Sequence, residues 1–314
     1  MYEVREIKYS EKSYRKILPI LRVSLVKHFT ETVQEDLKEA DGWFERIENT
    51  IKSESDRYIS FEIRSEGEVM GFMTASFIKN EFLLIRHFFI MDTKNKEELA
   101  YMLLKAAIES LKQTYKIDRF NNAAFTFPED LLYKPFKRLG FKTFKRHNMN
   151  YKLDSFKPKY ALPEAFLFSE FKKDDFLKIA EISVELFKDH PDASFWDEIN
   201  TVSSYLQYLE ASFKTYFLKE CSFIVIDQKG EIAGFCLMEK GYGEDDVIIQ
   251  NIGVIQKYQE RGIGKALLSK VLGVSYELGY KKVILTVTEG IPAQKLYENF
   301  GFKKYTSFLI IANN

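Results

Sequence analysis

Apolar and polar residues alternate along the chain in two rhythms, and their order predicts a layered α/β protein. Between residues 165 and 314, apolar runs at 166–169, 222–227, 231–239, 247–254, 283–288 and 305–312 read as strands. Ile263, Leu267, Val271, Val274 and Leu278 recur at helical spacing on one face, and Gly279 supplies the stop. Asp174 is the expected cap of a helix to about Lys188, which His190-Pro-Asp breaks before a second helix from about Thr201 to Leu218. Pro292 suits the first position of a further helix, which Gly301 closes. The order is βααβββαβαβ. The first 150 residues carry the same order, with helices expected near 11–29, 35–51, 96–114 and 129–139.

The two halves also match residue by residue. Gly67-Glu-Val-Met-Gly-Phe72 reappears as Gly230-Glu-Ile-Ala-Gly-Phe235, each between two strand-like runs, as a glycine-turned hairpin requires. Arg86-His-Phe-Phe-Ile90 lies opposite Gln250-Asn-Ile-Gly-Val254, and Phe136-Lys-Arg-Leu-Gly-Phe141 opposite Tyr297-Glu-Asn-Phe-Gly-Phe302. The chain therefore reads as one unit written twice: residues 1–153, a linker at 154–164 carrying Leu162-Pro-Glu, and residues 165–314.

Composition narrows the function. The 314 residues carry 46 basic and 46 acidic side chains, which argues against a nucleic-acid partner held by phosphate neutralisation. The first 150 residues hold 26 basic and 23 acidic groups and the rest 20 and 23, so neither half is a polyelectrolyte. No run of about 18 apolar residues predicts a membrane span, and Met1-Tyr-Glu-Val-Arg-Glu lacks the apolar core of a signal peptide. Cys221 and Cys236 sit in strand-like runs as packing residues, which fits a cytoplasmic protein, and the four histidines form no metal motif.

The sharpest chemical signal is Ile252-Gly-Val-Ile-Gln-Lys-Tyr-Gln-Glu-Arg-Gly-Ile-Gly-Lys265. A buried strand runs into a glycine-bearing turn and straight into an amphipathic helix. Gly262 and Gly264 allow close backbone approach, the unpaired N–H groups of the first helical turn face outward, and Arg261 and Lys265 add positive charge. Arg261 is the only arginine after residue 150. This is a phosphate-binding arrangement; the same pattern also serves as a tightly packed strand–turn–helix junction.

Gln259-Glu-Arg-Gly-Ile-Gly264 resembles the pyrophosphate loop of the GNAT superfamily of acyl-CoA-dependent N-acyltransferases, and Ala293-Gln-Lys-Leu-Tyr-Glu-Asn-Phe-Gly-Phe302 resembles its downstream motif. The similarity covers 165–314 and, more faintly, 3–153. It implies a tandem GNAT fold with a mixed sheet flanked by helices in each domain, acetyl-CoA as donor and an amine-bearing small molecule as acceptor, by direct attack in a ternary complex. It implies that residues 259–265 (Gln259, Glu260, Arg261, Gly262, Ile263, Gly264, Lys265) hold the pyrophosphate, that a backbone N–H at Ile252, Gly253 or Val254 receives the thioester carbonyl, and that Tyr297 protonates the departing thiolate.

Where many relatives carry a glutamate on the fourth strand, this chain has Gln250, which orients an acceptor but takes no proton. Asp246 and Glu239 are the substitute bases considered, with Glu289 a third, and a CoA-binding sensor without catalysis is the alternative function. Asn95-Lys-Glu-Glu-Leu-Ala100 and Phe136 stand where the loop and Tyr297 would be, so the first copy is expected to have lost the site. Trp196, Tyr242 and Gln250 are the candidate acceptor contacts, with Tyr205 and Tyr208 nearby; the protein is expected as a monomer or homodimer.

Overall fold

A computed structural model describes residues 2–7, 19, 22–23, 58–78, 82–91, 94–116, 120–122, 129–154, 156, 159–190, 201–241 and 243–312. The helices expected at 11–29 and 35–51 fall almost wholly outside the described residues. Two compact units divide the chain, Met1–His147 with Tyr305–Asn314, and Asn148–Lys304.

In the first unit the sheet order is β1 (Tyr2–Ile7), β2 (Tyr58–Ser65), β3 (Glu68–Ile78), β4 (Phe82–Ile90) and β5 (Phe120–Asn122). All neighbours are antiparallel except β4 and β5. The helix α1 (Lys96–Tyr115) buries Leu99, Leu103, Leu104, Ala107 and Leu111 against Phe61, Ile63 and Met73, the residues of β2 and β3 that point to its side. The helix α2 (Glu129–Arg138) follows.

The second unit repeats the plan with the order β7 (Phe166–Glu170), β8 (Phe223–Asp227), β9 (Ile232–Lys240), β10 (Asp246–Val254) and β11 (Lys282–Thr288). Residues at the end of β6 (Lys142–Lys152) lie beside β11, where Leu153 N donates to Lys281 O at 2.9 Å. β10 and β11 run parallel; β7 to β10 are antiparallel. Helix α3 (Phe176–Phe187) and helix α4 (Val202–Thr215) cover one face, packing on Ile224, Phe235 and Leu237. Helix α5 (Ile263–Glu277) covers the other, packing on Val225, Cys236 and Met238. Helices on both faces explain why β9 is a continuous apolar run. Helix α6 (Pro292–Phe300) and β12 (Lys303–Ala312) complete the described elements.

One local detail departs from the sequence expectation. Asp175 rather than Asp174 serves the start of α3, its carboxylate accepting from Lys172 N at 2.8 Å, because a short 3₁₀ turn at Lys173–Asp175 delays the helix. Core packing also divides the strand ends between the two units. Met149 and Leu153 pack in the second unit's core, whereas Leu309 and Ile311 of the last strand pack in the first unit's.

The repeat extends to an irregularity. In the second unit Ile249 pairs with Met238 and Asn251 with Leu237, so Gln250 bulges out of the ladder. In the first, Ile85 pairs with Ala75 and His87 with Thr74, so Arg86 bulges at the matching place.

Candidate active site

After Val254 the chain makes a short 3₁₀ turn, Gln256–Tyr258, and then a loop whose backbone is set by two left-handed residues, Glu260 at φ 61° and Gly262 at φ 84°. No atom lies within 4 Å of where a Gly262 Cβ would be, so the glycine serves backbone conformation and not space. Gly262 is the cap residue of α5, and Ala266 N donates to its carbonyl at 3.0 Å in the first intrahelical bond. The N–H groups of Ile263, Gly264 and Lys265 therefore precede that bond, and no side chain caps them. A Gly264 Cβ would lie 3.7 Å from both Leu296 and Val254, in ordinary van der Waals contact with each.

The loop is braced on both sides. Gln259 Nε2 donates to Val254 O at 3.0 Å, returning the loop to the strand end. Tyr258 Oη donates to Asp227 Oδ2 at 2.5 Å, and Lys257 pairs with Glu231 at 2.7 Å, fastening the turn to the β8–β9 hairpin. That hydrogen bond holds the Asp227 carboxyl below its ordinary value, while the Lys257 ammonium is raised to about 12 by Glu231. The Arg261 guanidinium stands 5.7 Å from the Tyr258 ring centre.

β10 and β11 pair only at Asp246–Lys282, Val247–Val283 and Ile248–Ile284. Both strands continue past this ladder, β10 to Val254 and β11 to Thr288, so a wedge opens between them. The Gln250 bulge stands at its start. Tyr297 of α6 is 6% exposed, its ring edge-on to Phe302 with centroids 5.9 Å apart.

On the opposite side of β10, α4 presents hydroxyls at Tyr205, Tyr208 and Ser212, one helical face facing the sheet. Asn251 Nδ2 hydrogen-bonds Tyr205 Oη, and lies 3.4 Å from Ser183 Oγ. Gln250 Nε2 donates to Tyr208 Oη at 3.3 Å, and Ser212 Oγ donates to Glu239 Oε1. The Tyr205 and Tyr208 rings stack with centroids 6.0 Å apart. Gln250 Oε1 is buried without a hydrogen-bond partner among the described residues, leaving an acceptor that a ligand N–H would satisfy. Burial pushes the Glu239 carboxyl up, against the smaller opposing effect of Ser212, and burial raises the Tyr205 phenol as well.

The structure therefore brings Ile252, Gly253, Val254 and the loop 259–265 together at the end of the wedge, with Gln250 at its start and Glu239 one strand away. It does not bring Asp246 there. Asp246 opens β10, pairs with Lys282 at 3.0 Å, and stands roughly 13 Å along the strand from Gln250. Glu289 is exposed beyond the end of β11. Trp196 and Tyr242 lie outside the described residues. Sequence reasoning missed Ser183, Ser212 and the brace at Tyr258; the spacing of hydroxyls at 205, 208 and 212 was the available signal for the seam under α4. The cysteines are buried, with Cys221 raised to about 11, as packing thiols are. Among the described residues there is no cluster fit to hold a metal, and no helix long and apolar enough to cross a membrane.

In the first unit the first turn of the matching helix carries two carboxylates, and both turn to the following helix. Glu97 pairs with Lys134 at 3.0 Å and Glu98 with Arg138 at 2.7 Å, joining α1 to α2.

Comparison with known proteins follows the same outline. A segment of 110 residues, 31% of this chain, is 32% identical to N-acetylaspartate synthetase of Xenopus tropicalis and spans only 40% of that protein. A GCN5-related N-acetyltransferase from Sphaerobacter thermophilus shares the fold at a TM-score of 0.66 and 17% identity, over 99% of this chain and 95% of that one. A tandem GNAT protein from the clavulanic acid biosynthesis pathway does so at 0.57 and 12%, over 99% and 98%. Residues 179–302 match the acetyltransferase (GNAT) family model. This segment, a domain of the acetyltransferase (GNAT) family by that match, holds the wedge and the open helix start.

Proposed function

We propose that the second unit transfers an acyl group from acyl-CoA, with acetyl-CoA the foremost donor, to the amine of a small molecule. The observation that carries this is the uncapped start of α5, set by Glu260 and Gly262 at the end of a strand that parts from its neighbour. The residues fit an acyl-CoA: three free N–H groups with Arg261 and Lys265 suit a pyrophosphate, and the wedge suits an extended thiol arm. The name of the Xenopus relative, N-acetylaspartate synthetase, supports an N-acetylated product.

Acyl-CoA supplies an activated thioester. A backbone N–H near Ile252–Val254 holds its carbonyl oxygen and stabilises the charge that grows there. Gln250 Oε1 accepts from the incoming amine and orients it. As the C–N bond forms and the C–S bond breaks, the amine proton passes through a water to Glu239, and Tyr297 donates its proton to the thiolate. Glu239 stands roughly 8 Å from Gln250, counting two residues along the strand and one strand across. The first unit, with Glu97 and Glu98 at its helix start, takes no part in CoA binding and keeps the fold.

The test is a titration with acetyl-CoA followed by a thiol-release screen over amino acids, polyamines and aminoglycosides. Stabilisation with release supports the transferase. Stabilisation without release for any acceptor favours a CoA-responsive sensor, which Gln250 in place of a carboxylate permits. Absence of stabilisation sinks both.

Glu239→Gln is expected to lower kcat by about 100-fold with little change in KM for acetyl-CoA. Its raised pKa fixes the sign of the pH dependence: the base works ionised, so the rate falls as pH drops through a value above 4.5. In the variant that acidic limb disappears. Asp246→Asn, by contrast, is expected to leave turnover and the limb in place and to cost at most about 1 kcal/mol in an unfolding titration.

A further inference from the structure

We infer that the segment before β7 supplies part of the donor site, the ring of Tyr160 forming a stacking platform for the purine nucleotide end of acyl-CoA. The inference rests on the acyl-CoA reading above. The backbone N–H groups of Lys159 and Tyr160 both donate to Ser269 Oγ of α5, at 2.9 and 3.3 Å, and Lys159 Nζ donates to Phe300 O at 3.1 Å. The segment is thereby pinned across α5 and α6. One side of the Tyr160 ring packs on Phe300, with centroids 5.2 Å apart, yet the residue stays 41% exposed. Lys265 Nζ, in the first turn of α5, lies 5.4 Å from the ring centre.

Ser269 is four to six residues along α5 from Lys265, Gly264 and Ile263, so the backbone of the platform is anchored about 6–9 Å along the helix from the N–H groups assigned to the pyrophosphate. A nucleoside joined to that pyrophosphate has this reach. Tyr258, the other ring beside the loop, is buried and its hydroxyl is engaged by Asp227, so it offers no free face. A purine stacks on a tyrosine face whatever its edge groups, and the Lys265 ammonium that stands over the ring turns to the pyrophosphate when the purine takes its place. An exposed ring held by three hydrogen bonds of its own segment loses little freedom on binding.

The experiment compares acetyl-CoA with S-acetyl-4′-phosphopantetheine, which has the thioester arm but no nucleotide, by calorimetric titration of wild type, Tyr160→Ala and Tyr160→Phe. Tyr160→Ala is expected to weaken acetyl-CoA about tenfold and leave the nucleotide-free thioester unchanged, while Tyr160→Phe binds both as wild type does. Equal weakening of both ligands, or no change in either, overturns the platform while leaving the acyl-CoA reading intact. If wild type binds neither ligand, the acyl-CoA reading falls and the platform with it.

Discussion

Gly262→Glu is expected to abolish the thermal stabilisation of this protein by acetyl-CoA, a loss of more than about 100-fold in affinity. Two effects combine. A side chain at φ 84° sits in the left-handed region, at a cost of about 1–3 kcal/mol, although nothing within 4 Å would obstruct its Cβ. The carboxylate then reaches the N–H groups of Ile263–Lys265 and occupies them as an internal anion. At the positive end of α5 that placement returns about 0.3–1 kcal/mol, so the fold survives. The phosphates lose their donors and meet a negative charge in their place. Gly262→Ala separates the contributions, since it carries the conformational cost without the charge and should retain weakened binding. Scanning fluorimetry over a range of acetyl-CoA concentrations reads all three proteins, and undiminished stabilisation of Gly262→Glu would remove the loop from the donor site. The first unit already presents the charged version, with Glu97 and Glu98 in the first turn of α1 and ion-paired to Lys134 and Arg138.

Much of the fold was legible because its elements announce themselves locally. The apolar runs of β8 to β11 and the helical spacing of Ile263, Leu267 and Val271 are each read within one element, and the hairpin glycines mark the turns. The bulges at Arg86 and Gln250 were visible only as a residue match, since a bulge has no composition of its own. What stayed hidden depends on partners distant in sequence. Nothing in the alternation of Met149 and Leu153, or of Leu309 and Ile311, says which of two similar cores an apolar strand face will join. The fate of Asp246 was hidden for the same reason: Lys282 opposes it only because β10 and β11 start their parallel ladder at those two residues. Glu239 reads in the sequence as another strand-end charge, and its burial under α4 beside Ser212 sets it apart.

Tyr297→Phe is expected to lower kcat by about 100-fold, with KM for acetyl-CoA and the unfolding midpoint nearly unchanged. The repeat supplies the packing half of this argument. Phe136 occupies the matching place in the first unit, fully buried and edge-on to Phe141 with centroids 5.6 Å apart. Tyr297 meets Phe302 edge-on at 5.9 Å, so the two units hold the same ring pair in the same geometry. A phenyl ring therefore suffices for the core at this position, and losing the hydroxyl should cost no more than about 0.5–1.5 kcal/mol. The catalytic half follows from where the hydroxyl acts. A proton donated as the C–S bond breaks stabilises the transition state and not the bound ground state, so its removal lowers kcat and leaves KM in place. Steady-state kinetics with thiol detection separates the two parameters, and a chemical unfolding titration checks the fold. Turnover equal to wild type would leave Tyr297 as a packing residue like Phe136, and the leaving thiolate would then need no protein acid.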